Sequence, residues 1–235
     1  MSSSRLPGKM LLDRYGKPVI QRVVERLQRS KLVNDIVIAT STNKKDDVIE
    51  SWALLNNIAC YRGSEKNVLQ RVIDAHIMMN SEIVVEVSGD TPLLDPSVID
   101  LGIKTFYRHN YDVVSNTWCQ SYPQGIDVQV FRRKTLQEIP QSNVDISIKE
   151  HVSLYFYENP HIYKIFHLKA PPKWNLPEQR LQLDYNEDLK LIRRIYESLE
   201  PKYGHSFGID EVIKLFSSMP ELKLINSHCV EKPLR

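Results

Sequence analysis

With 235 residues, 42% hydrophobic and 26% charged, the chain can bury a full core, and it reads as one α/β domain. Its 31 basic and 29 acidic residues leave a net charge of +2 with no block of lysine or arginine, which argues against a nucleic-acid partner. Cys60, Cys119 and Cys229 are odd in number and widely spaced, fitting reduced thiols better than a disulfide framework or a zinc site. Neither a long apolar run nor an apolar leader is visible, so the expectation is a cytoplasmic protein with no membrane span.

In chain order, the first clear helix opens at Pro18 and carries Val19, Ile20, Val23, Val24 and Leu27 at helical spacing. Residues 35–40 read as a buried strand, 45–57 as a helix and 58–61 as a short strand. Asn67 can cap a helix bearing Val68, Leu69, Val72, Ile73 and Ile77. Residues 82–88 form the clearest strand; Pro96 opens another helix and 112–115 the next strand. These strand–helix units over residues 31–115 predict a parallel, doubly wound sheet with helices on both faces.

Residues 125–131 alternate cleanly, 146–159 read as a helix and 162–170 as extended chain. They predict a small mixed-sheet lobe at about 120–175 within a single domain spanning 1–235, with Pro171-Pro172 as its hinge. Residues 181–184 return to a short strand, 186–199 form a helix and 208–218 a last one.

The chain starts with a loop, Ser3-Ser-Arg-Leu-Pro-Gly-Lys9, ahead of the first helix. Hydroxyls and backbone N–H groups there can donate to phosphate oxygens, while Arg5 and Lys9 neutralise charge. A polar terminus without a ligand is the plainer reading of such a stretch. Asp90 follows the strongest strand in Val-Ser-Gly-Asp-Thr-Pro, and Asp184 stands likewise in Leu-Gln-Leu-Asp. Ligands of open α/β sheets bind at such strand ends, and two carboxylates there can share one Mg²⁺. Turn formation or helix capping is the alternative for each. Glu187 and Asp188 suit the first helical turn, where the dipole favours acids.

These motifs together resemble the CMP-KDO synthetase-like cytidylyltransferases, most closely the spore-coat polysaccharide biosynthesis protein F branch. The resemblance rests on the loop ending at Lys9, Gly16-Lys-Pro18, Ile38-Ala-Thr-Ser41, Arg62-Gly-Ser-Glu65 with Val68, Leu69 and Arg71, and Ser88-Gly-Asp-Thr-Pro-Leu93. It continues through Val114-Ser-Asn-Thr117, Tyr122-Pro-Gln-Gly-Ile-Asp127, Glu150-His-Val152 and Arg180-Leu-Gln-Leu-Asp184. The set keeps the family order over roughly residues 1–200.

The resemblance implies a Rossmann-like nucleotidyltransferase sheet and transfer of CMP from CTP to a sugar hydroxyl, with release of pyrophosphate, for surface polysaccharide synthesis. It implies Mg²⁺ on Asp90 and Asp184, catalytic roles for these two with Arg5 and Lys9, and nucleotide contacts from Ser3, Ser4, Arg5, Lys9, Gly63, Ser64 and Arg71. Tyr122, Asp127, Glu150, His151 and Arg180 would face the sugar, and the protein would be a homodimer. For His151 and Tyr122 a packing role competes with sugar binding, and Arg180 can instead pair with Asp184. Relatives carry an apolar central strand ahead of the first loop, which the sequence here does not show. Gln129 stands where the branch has glutamate. A nucleotide-sugar-dependent glycosyltransferase and a non-catalytic nucleotide-binding homologue are the competing functions.

Overall fold

The computed structural model describes residues 6, 8–11, 16–140, 142 and 144–230. Helices start where the sequence supplies the chemistry for it. α1 (Val19–Leu27) follows an extended Pro18, one residue later than the sequence suggests. Asn67 caps α3 (Val68–Met78), its side chain accepting from Gln70 N. Asp95 caps α4 (Pro96–Arg108) by accepting from Ser97 N, and its second oxygen accepts from Ile209 N. One carboxylate thus ties the starts of α4 and α9 (Ile209–Ser218) together.

The strands fall into two groups. β1 (Val37–Ser41) and β2 (Ala59–Gly63) pair in parallel, linked by α2 (Asp47–Leu55). A four-stranded sheet runs in the order β3 (Ile83–Glu86), β5 (Gln129–Arg132), β4 (Val113–Ser115), β6 (Ile165–His167). β5 is antiparallel to both its neighbours, whereas β4 and β6 are parallel. β3 and β4, each antiparallel to β5, run in the same direction, as expected over residues 31–115, but β5 intervenes between them and makes the sheet mixed. Val130 and Phe131 are both buried, on opposite faces, and a strand buried on two faces belongs inside a sheet.

Helices cover both faces. Ile99, Ile103 and Phe106 of α4 and Leu191, Ile192 and Ile195 of α8 (Asn186–Tyr203) join Val114 and Val130 in one core. Leu69, Val72 and Ile73 of α3 join Val84, Val113 and Phe131 in the other. The sequence helix at 146–159 is two short helices, α6 (Ile146–Glu150) and α7 (Leu154–Glu158), separated by residues 151–153. Extended chain at 162–170 shortens to β6. Residues 181–184 form no strand; a single bridge, Gln124 to Arg180, stands in its place.

Among the described residues no ladder joins β1 to β3. A slot of about 880 Å³ lies between them, its apolar part lined by Ile38 of β1, Ile83 and Val85 of β3, Val72 of α3 and Val23 of α1. No helix among the described residues is long and apolar enough to cross a membrane.

Candidate active site

β3 runs out through Ser88 and Gly89 to Asp90, and the Thr91 hydroxyl closes the turn on Ser88 O at 2.6 Å. The segment carrying Asp184 is pinned to that turn by one backbone bond, Leu183 N to Asp90 O at 2.9 Å. Asp90 and Asp184, 94 positions apart in the chain by their numbers, therefore meet. Lys9 lies between them: its Nζ donates to Asp90 Oδ2 at 2.6 Å, Asp184 Oδ1 at 3.0 Å and Leu183 O at 3.1 Å. All three side chains are largely sheltered, at 16%, 13% and 4% exposure, so the attraction is little screened. Burial pulls the Lys9 ammonium toward neutrality, but Asp90 and then Asp184 outweigh it and raise its pKa. Gly89 leaves room for Met10, whose Cε would lie 2.6 Å from a Cβ at that position.

Each carboxylate is aimed by a partner. Ser88 Oγ donates to Asp90 Oδ1 at 2.5 Å, leaving Oδ2 to Lys9. Arg180 donates to Asp184 Oδ2 at 2.9 Å, leaving Oδ1 to Lys9. Arg180 is 2% exposed and also pairs with Asp188 through Nε at 3.1 Å. Asp188 in turn accepts the backbone N–H groups of Asp184 and Tyr185, both at 2.9 Å, and the Asn226 amide at 2.8 Å. The Arg180–Asp184 pairing is thus realised, and the guanidinium is committed to carboxylates rather than presented to a sugar.

Asp188 and Asn226 are the residues that sequence reading missed. The signal for Asp188 was its place as the third residue of α8, where a carboxylate reaches back to the turn before the helix. Nothing local marks Asn226.

The Tyr-Pro-Gln-Gly motif turns out to hold this segment in place. Gln124 N donates to Gln179 O and Leu181 N to Gln124 O. Gly125 has φ +91°, and a Cβ there would lie 2.8 Å from Gln182 N, so only glycine allows the approach. Tyr122 is 2% exposed, packs toward Trp174, and its sheltered hydroxyl has no hydrogen-bond partner. Asp127 is half-buried between Ile126 and Val128, whose backbones are held by Asn116. Glu150 is exposed at the end of α6, and half-buried His151 follows it beside Ile148 and Val152 of the second core.

Gly63, Ser64 and Arg71 do come together. Arg71 donates to Ser64 O at 2.6 Å, and its Cγ would be 2.9 Å from a Cβ at position 63. Arg71 lines the slot with Ser41 and Glu65, while Met10, Ser88 and Gly89 line it on the Asp90 side. Ser3, Ser4 and Arg5 lie outside the described residues.

Two carboxylates and a carbonyl converging on one cation are a hard oxygen donor set. Asp90 and Asp184, with Leu183 O, therefore suit a divalent ion at the position that the Lys9 ammonium takes.

Fold and site together define a nucleotidyltransferase. A cytidylyltransferase family model matches residues 1–207, and the chain belongs to that family. An uncharacterized protein of Methanocaldococcus jannaschii is 30% identical over 233 residues, 99% of this chain and 93% of that one. Spore coat polysaccharide biosynthesis protein SpsF of Bacillus subtilis is 28% identical, over 94% of this chain and 92% of its own. A 3-deoxy-manno-octulosonate cytidylyltransferase of Geobacter metallireducens is 28% identical over 89% of each chain. Among solved structures, a cytidylyltransferase of Leptospira borgpetersenii superposes with a TM-score of 0.88 at 26% identity, covering 94% of this chain and 92% of that one. CTP-dependent nucleotidyl transfer is the chemistry of this class.

Proposed function

We propose that this protein transfers CMP from CTP to a hydroxyl of a sugar, with Mg²⁺, to make an activated sugar for a surface polysaccharide or glycoconjugate. The observation that carries the reading is the convergence of Asp90 and Asp184 on one cation, the Lys9 ammonium. In the reaction the sugar oxygen forms a bond to the α-phosphorus, the α–β phosphoanhydride bond breaks, pyrophosphate leaves, and the hydroxyl proton passes to solvent.

Asp90 and Asp184 would hold the metal, which when bound neutralises phosphate charge and orients the reacting oxygens. Ser88 and Arg180 fix which oxygen of each carboxylate faces the centre. Lys9 is within reach of the same centre and can transfer its hydrogen bonds from the carboxylates to the outgoing phosphates, where charge builds in the transition state. Arg71, Ser64 and Gly63 are read as nucleotide contacts, and Ser3, Ser4 and Arg5 as further phosphate contacts. A homodimer is part of the same reading.

The test is incubation with CTP, Mg²⁺ and a panel of sugars that includes 3-deoxy-manno-octulosonate, following pyrophosphate. Asp90→Asn keeps the side chain's shape and loses its charge, and turnover should fall at least about 100-fold with the fold unchanged by circular dichroism. Near-normal turnover of this variant at saturating Mg²⁺ would remove Asp90 from the metal centre.

A further inference from the structure

The register of the four-stranded sheet divides one of its faces into two rows. Side chains two apart on a strand share a face, so the ladder places Val84, Phe131, Val113 and Ile165 side by side. That row is wholly apolar and is covered by Ile148, Val152 and Phe156. The adjoining row, at the carboxyl ends of β3, β4 and β6, is Glu86, Gln129, Ser115 and His167. Every member is polar.

A polar row across four strands beneath a helix is costly unless its groups are satisfied. Most are, in one connected network. Gln129 Nε2 donates to Glu86 Oε2 at 2.5 Å, and its Oε1 lies 2.9 Å from the Tyr157 hydroxyl. That hydroxyl is 2.6 Å from Ser115 Oγ. The Thr117 hydroxyl joins them, 3.0 Å from Ser115 Oγ, 3.1 Å from the Tyr157 hydroxyl and 3.3 Å from Gln129 Oε1, and Thr117 N donates to Ser115 Oγ at 3.1 Å. The amide at 129 can donate to Glu86; a glutamate there would set a second carboxylate against it. Among the described residues the network does not reach Nδ1 of His167. His167 Nδ1 is sheltered from solvent and has no partner among the described residues. Over the row, Trp118 stacks on Tyr157 with centroids 4.7 Å apart, and the residue is 47% exposed.

The row leads toward the reaction centre, since β3 ends at Glu86 and Asp90 follows four residues on by number. Burial raises the Glu86 pKa, Gln129's hydrogen bond opposes this, and Asp90's charge adds to the rise. An apolar row would serve packing better, so the polar one with an open valence calls for a polar ligand.

We propose that the row Glu86, Gln129, Ser115 and His167, roofed by Tyr157 and Trp118, is the acceptor subsite and reads the hydroxyls of a polyhydroxylated sugar. This deepens the CMP-transfer reading and rests on it for the direction of attack. His167 Nδ1 takes or gives the hydrogen bond that no protein group supplies. Trp118 offers an exposed face to the sugar's C–H bonds. The Glu86 carboxylate disfavours a second anion, so the row holds the neutral, hydroxylated part of the acceptor and directs any carboxylate elsewhere.

The experiment uses the full chain with nitrogen-15 labelled histidine, His167 being assigned by its loss in His167→Gln. Millimolar 3-deoxy-manno-octulosonate, then neutral hexoses, are added with and without CTP, while CTP affinity is measured separately by calorimetry. At least one sugar should shift the His167 signals and quench fluorescence that disappears in Trp118→Ala. For a sugar that is turned over, His167→Ala and Trp118→Ala should each raise its KM about tenfold, one hydrogen bond or contact's worth, with CTP affinity unchanged. If CTP binds and no sugar moves His167 or Trp118, the subsite is wrong and the nucleotide reading stands. If CTP does not bind, the nucleotide reading fails, and the sugar titration without CTP still decides the subsite. Unchanged KM in both variants also overturns it.

Discussion

Replacing Arg180 by methionine tests whether this residue holds the site together or faces the substrate. Methionine fills a similar volume and removes the only cation that touches both Asp184 and Asp188 among the contacts described. Those carboxylates are 4% and 0% exposed, so neither can recover its lost partner from water. Breaking a buried ion pair by removing one member costs about 3–5 kcal/mol. For a chain of this size each kcal/mol lowers Tm by about 2–4 °C, so the fall should be roughly 6–20 °C. Calorimetric or circular dichroism melts give the number. Adding Asp188→Asn, which removes one of the two stranded charges, should restore part of the loss, a coupling that a surface residue would not show. CTP turnover should drop as well, because Asp184 Oδ1 is no longer aimed at Lys9. A Tm within about 2 °C of the parent, below what 1 kcal/mol would produce, combined with a raised sugar KM, would refute the structural role and return Arg180 to the substrate.

Gly125→Ala should destabilise by roughly 2–5 kcal/mol, from a side chain at positive φ and overpacking against Gln182 N, and lower turnover; an unchanged urea midpoint would show that the loop can move aside. The His76 pKa lies at about 4 because burial, helped by the Arg133 charge, disfavours its cation. The unfolded chain takes that proton near pH 6.5 and the folded one near 4, so stability present above pH 6.5 is lost progressively toward pH 4, up to roughly 3 kcal/mol; His76→Gln should flatten that part of the pH profile, and an unflattened profile would remove His76 as its cause. Fusing an apolar strand and a short lead-in ahead of Met1, to run between β1 and β3, should add about 3 kcal/mol or more by burying two further side chains and raise Tm by at least roughly 6 °C; no gain would show that the slot does not accept a strand.

Local chemistry was legible where one element decides it. Asn67 and Pro96 announced α3 and α4, and the apolar spacing of Val19, Ile20, Val23, Val24 and Leu27 announced α1, because capping and amphipathicity depend on neighbours within a turn or two. Asp90 was legible as a carboxylate just past β3, whereas the strand read ahead of Asp184 does not form, and the ordered motifs pointed to the cytidylyltransferase family. The tertiary structure decided the rest. It placed β5 between β3 and β4, since Val130 and Phe131 need cover on both faces, a demand that alternation alone does not reveal. It assigned Arg180 to Asp184 and Asp188 and recruited Asn226 from the far end of the chain. It also packed Gln124 and Gly125 against residues 179–182. The row Glu86, Gln129, Ser115 and His167 exists only in the register of four strands. Apart from the Arg180 pairings, four and eight positions apart, each of these facts is a contact between segments tens of residues apart, and pairing energies across such distances are set by burial and geometry rather than by any local pattern.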